Sequence, residues 1–127
     1  MEESIKYQYN GHGGNKPLMS CQLELLLYKY KSNWPFVHLN HIGTVGDANH
    51  VANSSDSFHL HQPPDAIDIL DIGDMDMENP DQKLVVAERF ASLGGVCYHA
   101  RQVHRTHLHV QIAGTYKGIY REGYIGS

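Results

Sequence analysis

Residues 104–112 run His104-Arg105-Thr106-His107-Leu108-His109-Val110-Gln111-Ile112. From His107 onward polar and apolar side chains alternate. That is the period of a strand, in which successive side chains point to opposite faces. His107, His109 and Gln111 are therefore expected on one face, with Leu108, Val110 and Ile112 packed into a core on the other. Two imidazoles on a rigid strand form a platform suited to a metal ion or to proton transfer.

Working outward, Val96 to Ala100 reads as a neighbouring strand, and the edge of this one extends over Thr106 to Ala113. Before them, Asp81 to Leu93 has helical spacing, with Leu84, Val85, Ala87, Phe90 and Leu93 as its apolar face. Gly94-Gly95 ends that helix. Ala66 to Ile72 is apolar except for Asp68 and Asp71 and reads as a strand, followed by an acidic turn region from Gly73 to Pro80. Leu18 to Lys31 is a first helix, with Leu23, Leu26, Leu27 and Tyr30 on one face and Pro17 near its start. Asn33-Trp34-Pro35 breaks it, and Phe36 to Ile42 alternates as a short strand. Gly43 to Ser57 is a long polar loop with a short helix near Ala48 to Asn53. Residues 1–17 read as an N-terminal loop. Residues 115–127 form a tail, where Tyr116, Tyr120 and Tyr124 suit either a last helical turn or an ordered loop. The core spans about 18–114.

This order predicts an α+β fold, a small single domain over 1–127 with a mainly antiparallel sheet and helices packed on one side. A chain of 127 residues fits one domain. Hydrophobic residues at 41% and charged residues at 19% are those of a globular protein, not a disordered one. A formal net charge of -4 argues against nucleic acid and against anionic membranes as partners. No apolar run is long enough to span a bilayer. Met1 to Asn10 lacks the apolar centre of a secretory signal, so the chain is expected to stay in the cytoplasm, where it is made. Cys21 and Cys97 follow no metal or redox spacing, and free thiols are expected.

The chemistry-bearing signal is histidine. There are ten in the chain, and all but His12 lie between His38 and His109. A second cluster, His59-Leu60-His61-Gln62-Pro63-Pro64-Asp65-Ala66-Ile67-Asp68, precedes the Ala66 strand. Asp68 sits among isoleucines, where a carboxylate is costly unless something positive pairs with it. A catalytic zinc takes three protein ligands and leaves a position open to water. His61, Asp68 and His109 supply such a set, and His107 remains beside it for proton transfer. His38, His41, His50, His99 and His104 read as structural or surface residues. The acids from Asp71 to Asp81 lack the order of a calcium loop and read as solvated. A histidine-triad hydrolase is excluded by Arg105, and a cupin by the two helices.

The pattern His61-x-x-x-x-Ala66-x-Asp68, followed by His107-Leu108-His109 on a strand, resembles the LAS-type zinc peptidases. These comprise D-alanyl-D-alanine carboxypeptidases, L-alanyl-D-glutamate endopeptidases (the peptidase M15-like enzymes) and the hedgehog signalling domain. The resemblance covers roughly Val37 to Gly114. It implies a hedgehog-like fold, Zn2+ held by His61, Asp68 and His109, and His107 in the place of the general base. It also implies a hydrolase acting on peptides of bacterial cell-wall peptidoglycan. A compact peptidase of this kind, with neither signal nor wall-binding segment, looks like a phage endolysin that acts at the cell wall. Pro64 stands where the family has Gly, and His59 where it has Ser. Aligning Ser57-Phe58-His59 with the family Ser-x-His makes His59 the alternative metal ligand. The family's upstream substrate-binding arginine has no counterpart between Lys31 and Lys83, which leaves Arg101 or Arg105 for that task. The alternative to an enzyme is a non-catalytic structural or binding module, such as a virion subunit, that keeps the metal-peptidase fold.

Overall fold

The first helix begins where Ser20 can cap it. The Ser20 hydroxyl accepts a hydrogen bond from the Leu23 N–H at 3.2 Å, which satisfies one of the unpaired donors at the helix start. Helix α1 then spans Cys21–Asn33, and Leu23, Leu26, Leu27 and Tyr30 are its buried stripe. The computed structural model describes residues 6–7, 18–36, 38–42, 63–98, 107–112 and 124–126. The expected helical turn near Ala48 to Asn53 lies outside them, as do Tyr116 and Tyr120.

Strands β1 (Lys6–Tyr7), β2 (His38–Ile42), β3 (Ala66–Ile72) and β4 (Met75–Asp76) are followed by helix α2 (Pro80–Ser92). Strands β5 (Val96–Tyr98), β6 (Leu108–Gln111) and β7 (Tyr124–Ile125) complete the sheet. Its order is β1-β2-β3-β6-β5-β7, with β4 folded back on β3. The four central strands, β2, β3, β6 and β5, are antiparallel, and β1 joins β2 in parallel. With the two helices this is a small α+β domain.

Register assigns the faces. Ile67 opposes Val110, Ile69 opposes Leu108, and Cys97 opposes Val110. All five are fully buried and share one core with Leu23, Leu27 and Tyr30 of α1 and Val86, Ala87 and Phe90 of α2. Both helices therefore lie over the same face of the sheet. Tyr30 is the joint between them. Its ring centroid is 4.4 Å from that of Phe90, and its hydroxyl accepts from Arg89 Nη1 at 3.1 Å. Burial raises the Tyr30 pKa, and the Arg89 hydrogen bond partly opposes that rise.

The other face carries Ala66, Asp68, Val96, Tyr98, His109 and Gln111. It too is buried. A bulge ends the alternation along β3: Asn40 pairs with Asp71 but His41 pairs with Ile69, leaving Leu70 as the extra residue. Leu70 and Asp71 are both half-buried, and Ile72 returns to the core. The bulge thus lets one strand hold Asp68 on one face and still bury Ile67, Ile69 and Ile72 on the other.

Several expectations are corrected. The segment read as an N-terminal loop contributes β1, because the outer edge of β2 offers backbone donors and acceptors that any sequence can pair. Tyr124 is not helical but belongs to β7, paired with β5. Gly126, at φ +108°, follows it so closely that a Cβ there would meet the Gly95 carbonyl oxygen. The acidic region is not all turn. Met75–Asp76 forms β4, and Asn79 caps α2 by accepting from the Asp81 and Gln82 N–H groups. The apolar face of α2 is also shifted. Lys83, Val86, Ala87 and Phe90 are buried, while Leu84 and Val85 are 41% and 40% exposed. Val85 and Val86 are one helical step apart, so only one can face the core. Phe90, whose stripe runs through 83, 86 and 87, decides which. As expected, Gly94 ends α2 at φ +96°, in the left-handed region. Cys21 is exposed and Cys97 buried, both as free thiols, and burial pushes the Cys97 thiol well up. Among the described residues no helix is long and apolar enough to cross a membrane.

The shifted face makes a direct prediction. Phe90→Ala is expected to cost about 3–5 kcal/mol in urea unfolding, whereas Leu84→Ala costs about 0.5 kcal/mol or less. Equal losses would contradict the packing described.

Candidate metal and proton-transfer site

Asp68 lies in the middle of β3, directly opposite His109 on β6. Side chains directly opposite in an antiparallel pair share a face, with Cβ atoms about 4.5–5.5 Å apart. The result is a carboxylate and an imidazole brought together in the interior: Asp68 is 4% exposed and His109 3%. His109 Nδ1 lies 3.3 Å from Asp68 Oδ1. His107, immediately before β6, turns to the same face, and its Nε2 lies 3.6 Å from Asp68 Oδ2. Each carboxylate oxygen thus faces one histidine. Gln111, two residues on from His109 and wholly buried, places Oε1 2.7 Å from His109 Nε2.

The hydrogen-bonding inventory restricts the ring of His109. A carbonyl oxygen only accepts, so Nε2–H donates to Gln111 Oε1. Nδ1 is then the nitrogen turned to Asp68. An ionised carboxylate only accepts, so Oδ1 is served either by a ring proton on Nδ1 or by a metal ion between the two atoms. The separation of 3.3 Å is longer than the usual N–H···O distance of about 2.9–3.0 Å. Tetrahedral zinc with nitrogen and oxygen donors at about 2.0–2.1 Å holds adjacent donors about 3.3–3.4 Å apart. The pair therefore fits one edge of a zinc site in both chemistry and spacing. Among the described residues no three His, Cys, Asp or Glu groups are arranged to hold a metal ion. His61, the third expected ligand, lies outside the described residues, as do His59, Arg101 and Arg105.

The sequence reading brought Asp68, His107 and His109 together, and the structure does the same. It missed two residues. Gln111 was assigned its face but no role. Its only signal was a position two residues beyond a histidine on a strand. Nothing in the residue pattern assigns a role to Lys83. It sits in the first turn of α2 and is only 3% exposed. Burial pulls its pKa down to about 8, and the Asp68 carboxylate acts against that fall. The lysine thus places a positive field near the buried acid.

Two backbone bonds fasten the segment leading into Asp68. The Ser20 N–H donates to the Pro64 carbonyl at 2.9 Å, and the Ile112 N–H donates to the Asp65 carbonyl at 3.3 Å. The start of α1 and the end of β6 thereby hold the entry to β3. Comparison with protein-family models, with curated proteins and with solved structures finds no match to this chain.

Lys83 carries a pH signature. Its pKa is lower in the folded protein than the ordinary 10.5, so between about pH 8 and pH 10.5 the unfolded chain binds more protons. Stability from this group therefore rises with pH across that window, by roughly 3 kcal/mol in all. Below pH 8 the burial cost is present in full. Unfolding free energies of wild type and Lys83→Met, measured in parallel from pH 7 to 10.5, are expected to differ by a term that climbs with pH. A difference flat in pH would place the ammonium in water.

Proposed function

We propose that this chain is a zinc-dependent peptidase that cleaves peptide bonds of bacterial cell-wall peptidoglycan. The observation that supports the metal is the Asp68–His109 pair, a carboxylate oxygen and an imidazole nitrogen 3.3 Å apart and both buried. The substrate class rests on the resemblance of the His61–Asp68 and His107–His109 motifs to the LAS-type peptidases. In this reading Asp68 and His109 hold the ion together with His61, and His59 is the alternative to His61. Bound zinc supplies a Lewis acid that polarises the scissile carbonyl and brings the pKa of its water towards about 7.

The protein's own groups do the rest. Asp68 contributes the negative charge that makes the site selective for a cation. His109 is braced on both sides, by Asp68 and by Gln111. His107 is the least buried of the three, with 15% of its side chain exposed. It is therefore placed to take a proton from an attacking water and pass it to the leaving amine. Its contact with Asp68 Oδ2 stabilises the imidazolium formed between those two transfers. Arg101 or Arg105 is assigned to the substrate carboxylate, from the segment between β5 and β6.

A second reading, a binding or structural module that holds the metal without turnover, is favoured by one feature. Pro64 occupies the position of the family Gly, and it is buried, with its carbonyl tied to the start of α1.

Elemental analysis of untagged protein is expected to find about one zinc per chain in the wild type and a loss of it in Asp68→Ala. His107→Ala is expected to keep the metal and to lower release of peptides from purified cell wall by about 10²–10⁴-fold. Zinc without any digestion would favour the binding module. No zinc uptake by the wild type would sink both readings.

A further inference from the structure

We infer that Gln111 is a positioning residue that sets the ring of His109, so that Nδ1, not Nε2, is the nitrogen presented to Asp68 and to a divalent cation. The inference rests on the zinc reading above for its cation, but its geometric half stands alone. An imidazole on a strand has two settings related by rotation of the ring, and Asp68 accepts a bond from either nitrogen. Asp68 by itself therefore does not choose between them. Gln111 does. It is wholly buried, directly opposite Ala66 on β3 and Val96 on β5. Its carbonyl oxygen meets Nε2 at 2.7 Å, a short and well-formed bond, while the Asp68 contact is the longer one.

The same bond acts on the metal. A ligating histidine commonly donates its other ring N–H to an acceptor, which fixes the tautomer and raises the basicity of the ligating nitrogen. Here that acceptor is two residues along the same strand, so the backbone pleat itself sets the spacing between ligand and brace. An apolar residue of similar length at position 111 would fill the space and remove the oxygen that Nε2 meets at 2.7 Å.

The test uses the full chain labelled with nitrogen-15. Long-range proton–nitrogen correlations of the His109 ring are recorded without metal and with one equivalent of zinc. The inference expects a proton on Nε2 in both states, and a zinc-induced shift at Nδ1. Gln111→Met is expected to lose the protected Nε2 proton and to weaken zinc binding about 10–100-fold, whereas Gln111→Glu, which keeps an acceptor, holds it near wild type. A proton on Nδ1 alone in the metal-free protein would overturn the inference, and so would zinc ligated through Nε2. Unchanged zinc affinity in Gln111→Met would overturn it too. If zinc fails to bind while the Nε2 proton is present in the wild type and lost in Gln111→Met, the peptidase reading falls and the positioning role of Gln111 stands.

Discussion

A carboxylate in the middle of a buried strand is the constraint around which this structure is arranged. Asp68 lies between Ile67 and Ile69, both wholly buried, and is itself almost without solvent. An ionised group there loses several kcal/mol of hydration, and the surroundings must replace it. Two elements contribute. Strand β6 brings His109 opposite and His107 alongside, and the first turn of α2 brings the Lys83 ammonium within its field. The pairing of β3 with β6 is consequently specified twice, by hydrophobic contact on one face and by charge on the other. A one-residue slip would put Asp68 into the helical core and an isoleucine against His109, so both terms oppose it.

The rest of the fold holds that register. The Leu70 bulge lets β3 change phase after Asp68, so that Ile72 reaches the core without moving the carboxylate. Tyr30, Phe90 and Arg89 join the two helices over the opposite face. The cap of α1 is tied to the Pro64 carbonyl, and the end of β6 to Asp65, so both flanks of the motif are anchored by backbone hydrogen bonds. Such bonds depend little on side-chain identity. Pro64, which lacks a backbone donor, still offers the carbonyl that the Ser20 N–H needs.

Much of this was legible from residue pattern. The stripe Leu23, Leu26, Leu27 and Tyr30 is the buried face of α1, and Leu108 and Val110 face the core, with Ile112 packed at its edge. These readings succeed because local period and burial agree. The reading of α2 failed where they do not. Leu84 and Val85 are apolar and exposed, while Lys83 is charged and buried. Residue type alone ranks those positions the wrong way round. The burial of Lys83 follows from the stripe anchored by Phe90 and from a carboxylate distant in sequence. Likewise β1 and β7 are two-residue strands whose pairing is made by backbone groups, and no side-chain alternation announces them.

The sequence by itself determined the two helices, the central strands, the two-faced character of β6, and the pattern that sets Asp68, His107 and His109 apart. Each of those follows from short-range periodicity and from the cost of burying a charge. Only the tertiary structure decided that Asp68 stands opposite His109, that Gln111 meets the second ring nitrogen, and that Lys83 is buried within the field of that acid. Those are distances between strands and helices far apart along the chain. They depend on sheet register and helix rotation, which are properties of the packed whole and not of any local stretch.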